Sequence, residues 1–134
     1  MGRARRLALL GLAFVAVGPG ARRVVRSWPH RIAVEGTSMA PTLLPGDWLL
    51  VDPAAYRRHG PGVGDLVVAP DPRVAARLLV KRVHAVAADG ALDLRGDATA
   101  ASTDSRAFGL VAGAAVEGRA WARYWPLRRV GLLP

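Results

Sequence analysis

The strongest structural signal in the chain is the stretch Leu78-Leu-Val-Lys-Arg-Val-His-Ala-Val-Ala-Ala-Asp-Gly-Ala-Leu-Asp-Leu94. It holds two apolar runs separated by Asp89-Gly90, a dipeptide typical of tight hairpin turns. We therefore predict two antiparallel strands here. Short runs rich in valine and leucine also lie between turn signals elsewhere in the chain, at residues 31–34, 48–51, 66–69 and 114–124. Strands at this spacing predict a mainly β fold, a compact antiparallel β-barrel or sandwich.

Length and composition limit the kinds of function that the chain can have. Its 134 residues suit a single small domain, and the absence of cysteine excludes disulfides, thiolate zinc sites and a cysteine nucleophile. The three histidines, His30, His59 and His84, lack metal-ligand spacing, so we expect no metal and no cofactor. The net charge of +9 fits an anionic membrane surface, nucleic acid or an anionic substrate. No motif supports nucleic-acid binding, and we expect none.

The N-terminal residues 1–27 differ in character from the rest of the chain. An uncharged run at residues 7–17 lies between two basic patches. A helix through this run would span about 16–18 Å, against a bilayer core of about 30 Å. A short membrane anchor, a secretory signal sequence and an amphiphilic surface helix all remain open, and we favour the anchor. Residues 28–134 are then predicted to form a single β domain with no inserted second domain.

A serine follows the first strand-like run, in Val34-Glu-Gly-Thr-Ser38-Met-Ala-Pro-Thr-Leu43. A serine at a strand end can present its hydroxyl and its own backbone N–H to the same point. Acyl transfer needs the first for attack and the second for binding the oxyanion. The same pattern also occurs in ordinary loops, so Ser38 is a candidate nucleophile and no more on this ground alone.

Lys81 is the one lysine beside 18 arginines, and it lies in the first run of the predicted hairpin. An unperturbed lysine has a pKa of about 10.4 and is charged at pH 7. Burial favours the neutral amine, which can accept a serine proton, whereas a guanidinium cannot. Because side chains alternate along a strand, Lys81 and Arg82 must point to opposite faces. Lys81 is therefore either a buried general base or an outward-facing charge.

A polar loop at residues 96–109 completes the pattern, with a serine that could hold an amine and an Asp/Arg pair that could stabilise the loop; an ordinary surface turn is the alternative.

The chain resembles the type I signal peptidase family from residue 32 to about residue 120. The motifs that carry this resemblance occur in the family's order and rough spacing: Gly36-Thr-Ser-Met-Ala-Pro-Thr-Leu43, Gly64-Asp-Leu-Val-Val68, Lys81-Arg-Val83, and Gly96-Asp97 followed by Ser102-Thr-Asp-Ser-Arg106. Within the family, the connector at residues 51–58 and the short spacing between residues 83 and 96 resemble the nickel-type superoxide dismutase maturation proteases.

The resemblance implies the signal peptidase type of β fold and a serine endopeptidase that removes N-terminal leader, signal or pro-peptides after small residues. It implies that Ser38 is the nucleophile and Lys81 the general base. It further implies that Ser102 positions the lysine amine, while Asp104 and Arg106 form a supporting ion pair.

The resemblance also implies an oxyanion site and a substrate pocket. The backbone N–H of Ser38 matches the main oxyanion donor. Some members have a second donor hydroxyl two residues earlier, where this chain has Gly36, so Thr37 is another candidate. The residues expected to contact the substrate side chains are Val34, Met39, Leu43, Leu79 and Val80. An extended substrate would add as a strand beside the segments of Glu35 and Leu79.

The expected partners are a precursor protein with a leader peptide and an anionic membrane surface, which basic residues near a hydrophobic segment suit. We expect a membrane-associated protein with a single-pass N-terminal anchor and an extracytoplasmic catalytic domain. A cytoplasmic location fits the alternative of a dedicated maturation protease for one pro-protein, such as nickel superoxide dismutase. Two further alternatives are a peptidase like the self-cleaving repressors and a catalytically inactive β module that binds peptides.

Overall fold

The computed structural model describes residues 17–18, 21–22 and 30–134 of the chain. The described residues form nine strands and one short helix, α1, at Ser105–Phe108. The strands are β1 Val17–Gly18, β2 Ala21–Arg22, β3 Arg31–Ala33, β4 Trp48–Asp52, β5 Leu66–Asp71, β6 Val74–Val86, β7 Leu92–Arg95, β8 Gly118–Trp125 and β9 Gly131–Leu132. Three single-turn 3-10 helices lie at Thr99–Ala101, Gly113–Ala115 and Leu127–Arg129.

Seven strands form one antiparallel sheet in the order β3-β4-β8-β5-β6-β7, with β9 pairing to β8. The mainly β prediction is therefore confirmed. The predicted hairpin is also present, because β6 and β7 pair from Val86↔Leu92 onward. Gly90 occupies the turn with a φ of 85°, a conformation that glycine adopts without strain.

The prediction of a barrel is wrong for the residues that the structure describes, because β3 and β7 lie at opposite ends of a sheet that does not close. The outer edge of β7 is occupied in part by another segment. Leu92 and Val111 exchange two backbone hydrogen bonds, with N···O distances of 2.7 and 2.9 Å.

Both faces of the central strand β5 are buried, as its continuous apolar run Leu66-Val-Val-Ala69 predicts. Leu66 and Val68 belong to one hydrophobic cluster, and Val67 and Ala69 to a second. The first cluster also contains Ile32, Val34, Met39, Leu43, Leu49, Val51 and Ala120; the second contains Val83, Leu92, Leu94 and Val111. The middle of β6, residues 78–82, is therefore fixed by pairing with a mostly buried neighbour.

The predicted N-terminal helix lies outside the described residues, apart from Val17, which belongs to β1. β1 and β2 pair with each other as a short antiparallel ribbon. Within the part of the chain that the structure describes, the helices are too short to cross a bilayer.

Candidate active site

The serine loop follows β3 and turns sharply at Gly36, whose φ of 74° favours glycine. Ser38 comes two residues later, and 5% of its surface is exposed. Its carbonyl oxygen accepts a hydrogen bond from the backbone N–H of Ala98 at 2.9 Å. The serine loop is therefore joined directly to the polar loop predicted at residues 96–109.

Lys81 lies in the middle of β6, paired in register with Val67 of β5. It is 1% exposed, whereas the neighbouring Arg82 points to the other face and is partly exposed. Of the two orientations that the sequence leaves open for Lys81, the structure has the buried one. Its Nζ donates a hydrogen bond to Ser102 Oγ at 3.0 Å.

Ser102 links the lysine to a buried carboxylate. Its Oγ donates to Asp104 Oδ2 at 2.8 Å, and the same carboxylate oxygen accepts the backbone N–H of Gly96 at 3.1 Å. Because Ser102 Oγ accepts from Lys81 and donates to Asp104, its hydroxyl orientation is set from both sides. The lysine amine is thus held by a hydrogen-bonded chain that ends on a fixed carboxylate.

Asp104 is held by a two-point ion pair with Arg106. Arg106 Nε and Nη2 donate to the two carboxylate oxygens at 2.9 and 2.8 Å. The Asp104 side chain also caps α1, because it accepts the backbone N–H of Arg106 at 3.2 Å. These Arg106 hydrogen bonds hold the pKa of Asp104 well below its usual range, although burial opposes them. The carboxylate is therefore charged at every pH at which the protein would work.

Asp104→Asn is expected to destabilise the protein at pH 7 and to weaken its acid dependence. The folded-state pKa of Asp104 is lowered, so its stabilising contribution is complete above the unfolded carboxyl pKa of about 3.9 and is lost as the pH falls below it. We expect a loss of about 1–2 kcal/mol at pH 7, because Arg106 is partly exposed. Denaturant unfolding between pH 7 and pH 2 measures both effects.

The matched control is Asp93→Asn. Asp93 is also paired with the arginine two residues later, but both side chains of that pair are partly exposed. Its replacement should change stability by less than about 1 kcal/mol. Equal losses of stability for the two variants would show that the Asp104–Arg106 ion pair stabilises the protein no more than the Asp93–Arg95 pair does.

Ser38 and Lys81 line the same open cleft, with a volume of about 410 Å³. The other lining residues are Glu35, Gly36, Arg73, Arg77, Leu79, Ala101 and Thr103. Of the five predicted pocket residues, Leu79 lines this cleft. Val34, Met39 and Leu43 lie in the first hydrophobic cluster, and Val80 packs against it. The structure therefore brings the serine, the lysine and the polar loop together, and places four pocket candidates in or beside the core.

Residues 5–91 match the family model described as signal peptidase, peptidase S26. The chain belongs to this family. It is a protease of the signal peptidase type. Mitochondrial ATP-independent inner membrane protease subunit 1a of Arabidopsis thaliana is 34% identical to this S26 chain over 122 residues, covering 75% of the chain and 73% of that protein. Mitochondrial inner membrane protease subunit 1 is 31% identical in Xenopus tropicalis and 27% in Homo sapiens, each over 121 residues, covering 76% of the chain and 72% or 73% of those proteins.

A second connection between the site segments of this S26 peptidase chain was not anticipated from sequence. Asp97 accepts two hydrogen bonds from Arg82, both at 2.9 Å, and one from Thr42 Oγ1 at 2.6 Å. Arg82 belongs to β6, Asp97 to the polar loop and Thr42 to the serine loop. One carboxylate therefore joins all three segments. The only signal in the sequence was the occurrence of these residues within the S26 motifs.

The structural importance of Gly96 was also not predicted from the sequence. A Cβ at this position would lie 2.5 Å from the Ser38 carbonyl oxygen and would overlap the Ser102 side chain. Gly96 is therefore required because the serine loop and the polar loop approach each other over its Cα. A Gly-Asp dipeptide at the start of a loop gives no indication of such a close approach.

Proposed function

We propose that the protein is a serine endopeptidase that removes N-terminal leader, signal or pro-peptides, with Ser38 as nucleophile and Lys81 as general base. The observation that carries the proposal is the buried Lys81 amine, which is bonded to Ser102 and lines one cleft with Ser38. Burial of an amine disfavours its charged form. A neutral Lys81 can accept a proton, which none of the arginines could do.

In the proposed reaction, Lys81 takes the hydroxyl proton of Ser38 as Oγ attacks the scissile carbonyl carbon. The tetrahedral intermediate collapses, Lys81 returns the proton to the leaving amine, and the leader remains bound to Ser38 as an ester. Lys81 then takes one proton from water, whose oxygen attacks the ester carbonyl. This proton returns to Ser38 Oγ as the leader leaves as a carboxylic acid, which releases its remaining proton to the solvent. Each step balances without a cofactor.

The oxyanion is proposed to bind the backbone N–H of Ser38, with Gly36 or Thr37 as the source of a second donor. The left-handed turn at Gly36 supports this arrangement, because it places this part of the loop along the cleft. A backbone donor at Gly36 would replace the hydroxyl that some family members have there.

Ser102, Asp104 and Arg106 are proposed to act as positioning residues. A lysine side chain has four rotatable bonds, so an unrestrained amine would spend little time in the reactive geometry. The chain of hydrogen bonds from Lys81 through Ser102 to the ion pair removes this freedom. Their contribution is therefore to orient the amine rather than to transfer the proton themselves.

The proposed specificity for small residues one and three positions before the cut rests on Leu79, which is 4% exposed and lines the cleft. Val34, Met39, Leu43 and Val80 would shape this region from the core side. An apolar wall backed by packed core cannot move aside for a bulky side chain. An alanine-sized residue at either position is therefore the expected substrate feature.

We further propose that residues 1–27 anchor the protein in a membrane and that residues 28–134 form an extracytoplasmic catalytic domain. The relatives are named as inner membrane proteases, which supports membrane association. The C-terminal segment exposes Trp125, Leu127, Val130 and Leu132 close to Arg128. Apolar and cationic side chains together suit the headgroup region of an anionic bilayer.

The test is to incubate the purified full chain with a leader-bearing secretory precursor and, separately, with a nickel superoxide dismutase precursor, and to read the new N-termini by mass spectrometry. We expect cleavage after a small residue, and none with Ser38→Ala. Cleavage of only the superoxide dismutase precursor would assign the chain to the dedicated maturation proteases. If both precursors bind and stay intact, the chain is a peptide-binding module and the proposal is wrong.

A further inference from the structure

Arg77 lies on the same wall of the cleft as Lys81. Arg77, Leu79 and Lys81 are alternate residues of β6 and all three line the cleft. At about 3.3 Å per residue, Arg77 lies about 13 Å along the strand from Lys81. An extended peptide has a similar rise, so Arg77 faces a substrate residue about four positions from the scissile bond.

The guanidinium of Arg77 has unused hydrogen-bonding capacity. Arg77 Nη1 lies 3.7 Å from Asp71 Oδ2, a distance that is too long for a hydrogen bond. Asp71 is instead bound by Arg73, whose backbone N–H, Nε and Nη2 donate at 2.9, 3.0 and 2.8 Å. Within the described part of the chain, Arg77 Nε is buried and has no hydrogen-bond partner.

The cleft is lined by two arginines and one carboxylate, Glu35, in addition to Ser38 and Lys81. Within the part of the chain that the structure describes, Asp71 is the one carboxylate that forms an ion pair with Arg73 and Arg77. Glu35 lies three residues before Ser38, and its buried Oε1 lacks a hydrogen-bond partner within the residues described. A substrate carboxylate is therefore attracted to the part of the cleft that Arg73 and Arg77 line.

We propose that Arg77, assisted by Arg73, binds an acidic side chain of the precursor about four residues before the scissile bond. The proposal rests on the proposed function and adds a specificity-determining subsite to it. The leader side is assigned because the proposed function places the residues before the cut against Leu79, and Arg77 continues the same wall of β6. A guanidinium binds a carboxylate through two parallel hydrogen bonds, which gives preference for an acidic residue over its amide.

The experiment uses matched precursor peptides in which Glu, Gln or Lys occupies, in turn, positions four, five and six before the cut. For the natural chain we expect kcat/KM to be roughly tenfold higher for Glu than for Gln at one of these positions, the ratio typical of one hydrogen bond to a charged group. Arg77→Gln should reduce this Glu:Gln ratio to about one. Arg77→Lys should keep part of it, because the charge remains while the two-point geometry is lost.

The control is Arg57→Gln, which removes an equal charge from an exposed position outside this cleft and should keep the full ratio. A ratio of one in the natural chain, or a full ratio in Arg77→Gln, would overturn the subsite. Binding of fluorescently labelled versions of these peptides to Ser38→Ala separates the subsite proposal from the protease proposal. A Glu preference in binding without any cleavage by the natural chain supports the subsite while refuting the protease, and cleavage without a Glu preference does the reverse.

Discussion

Ser38→Ala and Lys81→Ala are each expected to reduce kcat/KM for precursor cleavage by roughly 10⁴- to 10⁶-fold, with the fold intact. Both side chains are buried and line one cleft. In the proposed mechanism, the loss of either removes the attacking oxygen or the proton acceptor. Residues that act as a unit are strongly non-additive. The double variant should therefore be no slower than either single variant. Mass spectrometry measures the rate of precursor cleavage by each variant, and thermal unfolding shows whether the variant is folded.

Lys81→Arg separates the role of the amine from that of the charge. Arginine keeps the positive charge but cannot supply a neutral nitrogen, so this variant should be as inactive as Lys81→Ala. Ser102→Ala should lose only about 10- to 100-fold, because it loosens the amine without removing it. Arg57→Lys, an exposed exchange of the same two residue types, controls for composition. Full activity in Lys81→Arg would refute the neutral-amine mechanism.

The strands could be predicted because their signals are local. Two apolar runs and the Asp89-Gly90 turn located β6 and β7, and the run Leu66–Ala69 located β5. Closure of the sheet could not be predicted in this way. It depends on which edges remain unpaired after folding, and the backbone bonds between Leu92 and Val111 join segments for which the sequence carries no shared pattern.

The residues of the candidate site could be predicted from the sequence to about the same extent as the strands. Lys81 stands out because it is the one lysine beside 18 arginines, and the order of the motifs indicated Ser38 and the polar loop. The contacts that connect these segments were not predicted, because they join residues far apart in the chain. Thr42 and Asp97 are separated by 55 positions, and Arg82 and Asp97 by 15. Arg77 was missed because its free donor capacity depends on how completely Arg73 occupies Asp71.

Gly96→Ala is expected to lower kcat/KM by at least about 100-fold although position 96 carries no reactive group. The added methyl would lie 2.5 Å from the Ser38 carbonyl oxygen and would overlap Ser102, so the serine loop and the polar loop must separate. That movement would stretch the hydrogen bond between Lys81 and Ser102 and shift Ser38 in the cleft. A misplacement of about 1 Å can cost 100-fold in rate. Overpacking should also cost about 1–3 kcal/mol of stability.

Activity measured well below the unfolding temperature distinguishes this positional effect from loss of folded protein. Gly60→Ala is the matched control, because its added Cβ would meet nothing within 4 Å and its backbone is not in the left-handed region. It should therefore keep the activity of the natural chain. If Gly96→Ala is folded and fully active, the approach of the two loops over Gly96 does not position the serine and the lysine. The role proposed for the polar loop would then have to be abandoned, even if Ser38 and Lys81 remained essential.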